Sequence, residues 1–140
     1  MSRKNGTQYE SEWRDILRVN GHISVLGSTI DVDGIDVCHG ILYEVKSSLL
    51  KTDKPHIVIS GERLILQYKK MREYSKKVTC RYVVRFRGKK WYYYDVKPED
   101  PVPTVLEYIP DANVTIIKKG KSIKGILKPV EEMDNFYYKK

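Results

Sequence analysis

Residues 34–48, GIDVCHGILYEVKSS, hold two apolar runs broken at His39-Gly40, and they constrain the fold more than any other stretch of the chain. Ile, Leu, Tyr and Val at this density favour extended backbone, and a glycine between two such runs favours a hairpin. Glu44 and Lys46 stand two residues apart, so they share one face of the second strand. Either that face is solvated and the two form a simple ion pair, or the charges are held at a site.

Loop length decides which acid joins them. A three-residue loop, Cys38 to Gly40 with Gly40 in the left-handed region, pairs Asp36 with Leu42. Asp36, Glu44 and Lys46 then share a face, with the two acids about 7 Å apart between Cα atoms. A two-residue loop sends Asp36 to the opposite face. In the first arrangement the two carboxylates can converge on Mg2+, which takes oxygen ligands and keeps room for waters and a phosphate. Such an ion lowers the pKa of a bound water and stabilises charge on a phosphorane-like transition state. Lys46 can orient or deprotonate that water, or offset the developing charge.

The segment before the hairpin, GTQYESEWRDILRVNG, has Tyr9, Trp13, Ile16 and Leu17 at helical spacing, with Thr7 as N-cap and Gly21 past the C-terminus. Glu10 borders the apolar stripe, where a carboxylate can reach toward the sheet. Thr7-x-x-Glu10 also has capping-box spacing, which gives Glu10 a purely structural alternative. HISVLG reads as a strand, HIVIS as another, and SGERLILQYKKMREYSKK as a second helix. VTCRYVVRF and KWYYYDV read as a hairpin. That order predicts an α/β domain with one mixed β-sheet of about five strands flanked by helices. Past Lys97, Pro98, Pro101, Pro103 and Pro110 punctuate a segment of little periodicity, and NVTIIKKGKSIKGILKPV is compatible with one more basic hairpin. The division expected is a core over 1–96 and a C-terminal extension over 97–140, packed on the same domain.

A chain of 140 residues suits one domain with a real core. No apolar run approaches the roughly 20 residues of a membrane helix, and MSRKNGTQ lacks the apolar stretch of a secretory signal. Cys38 and Cys80 form no metal-type spacing with each other or with the three histidines, so free thiols in an intracellular protein are the simplest expectation. The net charge of +8 favours a polyanionic partner, because each phosphate contact releases counterions. A heavily solvated, Lys- and Glu-rich surface is the competing account.

The order of an early helix glutamate, an aspartate in one strand and Glu-x-Lys in the next resembles the PD-(D/E)xK nuclease superfamily. Within it the chain looks most like the archaeal Holliday junction resolvases, whose fold is restriction-endonuclease-like. RKNGTQYESEW is similar to that family's basic N-terminus and first helix, and VNGH to the loop that follows. STIDVDGIDV matches its Ser-to-Asp segment, LYEVKSS its Glu-x-Lys strand and MREYSKK its second helix. The likeness spans roughly residues 3 to 96. Ser11 and, approximately, Leu26 stand where family members commonly have arginines, and the hairpin between Asp36 and Glu44 is shorter than usual.

By that resemblance Glu10, Asp36 and Glu44 bind Mg2+ (or Mn2+ as a substitute), Lys46 is the catalytic lysine, and Ser28 is the serine of the loop before the aspartate. The implied activity is a structure-selective endodeoxyribonuclease that nicks four-way junctions symmetrically in recombination and repair, as a homodimer and in an intracellular, nucleoid-associated setting. The alternatives are a nuclease of the same fold acting on flap, single-stranded or duplex DNA, and a basic nucleic-acid-binding module that cuts nothing. Arg3, Lys4, Lys51, Lys54, Lys69 and Lys70 are the candidate phosphate contacts. KWYYYDV is a candidate dimer edge, against ordinary core packing of its aromatic residues.

Overall fold

A computed structural model of the chain describes residues 2–27, 32–48, 54–87, 90–110, 116–119 and 122–130. Tyr9, Trp13 and Leu17 recur every four residues and are all buried, which sets the inner face of helix α1, Ser2–Val19. The helix starts six residues earlier than its capping pattern suggests, at Ser2 where Thr7 as N-cap would start it at Gln8. Thr7 is therefore not the N-cap, and Glu10 lies within the helix instead of closing a capping box. Gly6 costs a helix interior about 1 kcal/mol, which packing of the aromatic stripe outweighs.

Next come β1 (Ser24–Leu26), β2 (Gly34–Asp36), β3 (Ile41–Ser48), β4 (His56–Val58) and helix α2 (Glu62–Tyr74). They are followed by β5 (Thr79–Phe86), β6 (Lys90–Val96), β7 (Val105–Tyr108), β8 (Ile116–Lys119) and β9 (Ser122–Pro129). The sheet runs β1-β2-β3-β5-β6-β9-β7-β4, with β8 paired to β9. It is mixed: β3 and β5 are parallel across the α2 crossover, whereas β2–β3 and β5–β6 are antiparallel. Nine strands among the described residues exceed the expected five. β1 to β6 follow the runs read as strands, β8 and β9 the basic hairpin that NVTIIKKGKSIKGILKPV allows, and β7, four residues long, is the strand not anticipated.

Both faces are covered. α1 packs Tyr9, Trp13 and Leu17 on Tyr43, Val45 and Val83. α2 packs Tyr68 and Met71 on Tyr82, Val84 and Tyr94, in a cluster that also takes in Leu106 of β7 and Leu127 of β9. Cover on both faces buries β5 from Cys80 to Phe86, Arg81 and Arg85 included, with Arg81 paired to Asp95 and Arg85 to Glu12. KWYYYDV is not a free edge: β6 pairs with β5 along its length and with β9 at Tyr92 and Tyr93. Glu12 anchors α1 to the sheet, accepting from Arg85 Nε and Trp91 Nε1 at 3.0 Å each.

The β2–β3 register overturns the three-residue loop. Gly34 faces Tyr43, Ile35 faces Leu42 and Asp36 faces Ile41, so the loop is the four residues Val37–Gly40, with Gly40 at φ 65°. Asp36 itself drives this. Its Oδ1 accepts from Cys38 N at 3.1 Å and its carbonyl from His39 N at 3.3 Å, turn-forming bonds that lengthen the loop by one residue. Because directly paired residues share a face, Asp36 sides with Ile41 and Tyr43, opposite Glu44.

Gly34 is required where it is. A Cβ there would collide with the phenol end of Tyr43, which is buried, and press on the carbonyl of Val25. Gly34→Ala is expected to lower stability by roughly 1–3 kcal/mol through overpacking, read from urea unfolding. An unchanged midpoint would show that Tyr43 moves aside freely.

Candidate active site

β3 presents Glu44 and Lys46 toward α2, with Lys46 Nζ 3.2 Å from Glu44 Oε2. The acid is buried and the lysine is 24% exposed. On its β2 side, β3 outruns its partner: the ladder stops at the Gly34–Tyr43 pair. Asp33, the next residue outward, takes over with its side chain, accepting the Val45 amide at 2.8 Å. That bond places the Asp33 carboxylate in the gap at the end of β2, between the two faces of the sheet. From the α1 side Glu10 reaches the same gap and hydrogen-bonds Asp33.

Electrostatics reflect this crowding. Burial, reinforced by the Asp33 charge and opposed by Lys46, pushes the Glu44 carboxyl up to about 7. Burial raises Glu10 as well, followed by the charge of Asp33 and the hydrogen bond to it. Glu10 and Asp33 thus bring two acidic groups side by side, a crowding that a cation would relieve. The Gln67 side chain, from α2, also hydrogen-bonds Glu44.

A cleft of about 630 Å³ opens over Asp33 and Glu44, bordered by Glu62, Arg63, Gln67 and Lys70 of α2. A second, of about 360 Å³, lies beyond Lys46 and is lined by Ser47, Ser48 and His56. Glu44 therefore lines the first opening, which Arg63 and Lys70 also border, and its ion-pair partner Lys46 lines the second.

Of the residues singled out by sequence, Glu44, Lys46 and Glu10 gather around this gap, and Asp36 does not. Asp36 lies on the other face, its Oδ2 3.0 Å from His22 Nδ1. Ser28 and Lys51 lie outside the described residues. Arg3 and Lys4 fall in the first turn of α1, ahead of the residues whose side chains are described. Lys54 and Lys69 are exposed, and Lys70 borders the larger cleft. Asp33, Gln67 and Arg63 were not anticipated. Asp33 was recoverable in principle: any even loop between the runs moves the shared face from Asp36 to its odd-numbered neighbour.

A divalent ion suits the oxygen-rich set of Asp33 and Glu44, whose mutual repulsion and burial a cation would relieve. Among the described residues, His22, Asp36 and His39 alone bring three ligand atoms within 4.8 Å of one another. Glu10, Asp33 and Glu44 are therefore spread more widely as a set. Two of them with a substrate phosphate are enough for Mg2+.

A mixed sheet between two helices, with Glu-x-Lys on a central strand, places the chain in the restriction-endonuclease-like fold class. Among solved structures it is similar to Hjc, a Holliday junction resolvase from the archaeal hyperthermophile Archaeoglobus fulgidus. The TM-score is 0.50 at 12% sequence identity, over 96% of this chain and 87% of that one. No family model matches the sequence, and neither does any curated protein.

Proposed function

We propose that the protein is a divalent-metal-dependent, structure-selective endodeoxyribonuclease that nicks four-way DNA junctions. The observation that carries this reading is the pairing of Asp33 with Glu44 at one cleft, with Lys46 ion-paired to Glu44 and lining the neighbouring cleft, on elements of a fold shared with a junction resolvase. Asp33 and Glu44 would hold the ion, Mg2+ or Mn2+ by its oxygen preference. When bound, it would act as a Lewis acid on the scissile phosphate and favour ionisation of water near neutral pH.

The chain's own groups do the rest. Glu10 buttresses Asp33 from α1. Lys46, held at 3.2 Å by Glu44, is placed to offset charge developing on the phosphate oxygens or to orient the attacking water. Arg63 and Lys70 border the cleft where a phosphodiester backbone would approach, and the opening beyond Lys46 extends that track. Such contacts read backbone shape and not base identity, which suits a branched substrate. A homodimer would set two such sites against opposed strands of a junction and yield paired nicks.

The test is incubation of labelled four-way junction, flap and plain duplex with purified protein, with and without Mg2+. Junction cleavage into nicked duplexes only with the metal is expected, from a species of dimer mass in solution. Preferential cutting of flap or duplex would replace the substrate class. Salt-dependent binding with no product at any protein concentration would leave a binding module in place of the enzyme.

A further inference from the structure

On the opposite side of the sheet from Glu44, three donors from separate segments meet. His22 follows α1, Asp36 ends β2, and His39 sits in the following turn. Asp36 Oδ2 lies 3.0 Å from His22 Nδ1 and 3.5 Å from His39 Nδ1, and one ligand atom from each residue falls within 4.8 Å of the others. Asp36 is 1% exposed and His22 7%, so two of the three are built into the interior, while His39 opens to solvent. The second Asp36 oxygen is engaged by the Cys38 amide, which fixes the carboxylate with Oδ2 toward the imidazoles.

We propose that His22, Asp36 and His39 form a binding site for a zinc-class divalent ion, distinct from the Asp33–Glu44 cleft. Two imidazoles and one carboxylate select borderline first-row ions over Mg2+, which takes oxygen. A tetrahedral ion with bonds of about 2.0–2.1 Å spaces its ligand atoms by about 3.3 Å, and the two distances to Asp36 Oδ2 fall on either side of that value. His39, being exposed, leaves the set open to water, which would supply a fourth ligand. Cys38, although in the same turn, is outside the set, because its Sγ accepts the Ile23 amide at 3.3 Å.

One rearrangement accompanies binding. The His22 and His39 rings are stacked, with centroids 4.1 Å apart and planes at 21°. An ion must lie near the plane of each ring it binds, so the exposed His39 ring swings out of the stack when the site fills. The site would staple the end of α1 to the β2–β3 hairpin, whose other end carries Asp33. Occupancy therefore adds to folding stability.

The experiment titrates Zn2+, and Co2+ as its spectroscopic substitute, into the full-length Glu44→Gln protein, a background that weakens the other site. One ion per chain, visible absorption of tetrahedral cobalt and a raised Tm are expected, with excess Mg2+ unable to compete. His39→Asn, a surface change that keeps the fold, is expected to weaken binding by at least roughly tenfold and to abolish the Tm response. Loss of the upfield ring-current shift on the His22 protons would report the unstacking. The proposal is overturned if Zn2+ leaves Tm and cobalt absorption unchanged, if His39→Asn binds as tightly as its parent, or if Mg2+ displaces the ion at equal concentration.

Discussion

Asp33→Asn is expected to lower Mg2+-dependent junction cleavage by at least roughly 10²-fold in kcat/KM, whereas Asp36→Asn leaves it near the starting value. The asparagine keeps an oxygen for the Val45 amide and so preserves the end of the β2–β3 ladder. What it removes is the negative charge beside Glu44. Asp36 faces His22 across the sheet from Glu44 and has no path to the same cleft. Its asparagine variant should show a change in thermal stability instead, because a buried imidazole loses its charged partner. Single-turnover cleavage with both variants at saturating protein decides the matter. An inactive Asp36→Asn beside an active Asp33→Asn would sink the assignment of the site.

Glu44→Gln is expected to stabilise the protein at pH 8 while abolishing cleavage. The Glu44 carboxyl is raised from 4.5 to about 7, chiefly by burial. Over that interval the folded state holds a proton that the unfolded chain has released. Stability therefore falls as pH rises from about 4.5 to about 7, and the loss is complete above that range. The full shift corresponds to roughly 3 kcal/mol, an upper bound that relaxation and the Lys46 ion pair reduce. Glutamine carries no charge to bury, so its advantage should appear at pH 8 and vanish near pH 4.5. Chemical denaturation at the two pH values measures it. Mg2+ should raise the Tm of the wild type and not that of the variant, since binding relieves the repulsion that the substitution has already removed. A variant less stable than wild type at pH 8 would show that Glu44 serves packing or its ion pair more than a strained site.

This opposition of stability and chemistry also explains why the site was only partly legible in sequence. Glu44 and Lys46 could be found because a strand's period of two is rigid: once 41–48 is read as extended, they must share a face. Glu10 could be found because Trp13 and Leu17 fix the buried side of α1, and Glu10 borders it. The choice between Asp33 and Asp36 had no such rule. It turned on whether the loop holds an odd or even number of residues, which was set by hydrogen bonds of Asp36 to its own turn. Asp36, expected beside Glu44, instead shapes the turn whose register brings Asp33 there.

The metal-like cluster of His22, Asp36 and His39 was likewise invisible. Metal-ligand spacings in sequence signal ligands carried by one element, whereas these three come from a helix end, a strand end and a turn. The short strand β7, four residues long, was not anticipated, and it forms through pairing with β4 and β9 more than through local preference.

Local periodicity by itself determined two helices, the central strands, and the common face of Glu44 and Lys46, because backbone geometry repeats regardless of what surrounds it. Tertiary structure alone decided which aspartate stands beside them, where the cationic border of the cleft lies and which histidines meet. Those outcomes depend on register and crossover, where a shift of one residue reverses the direction of every side chain.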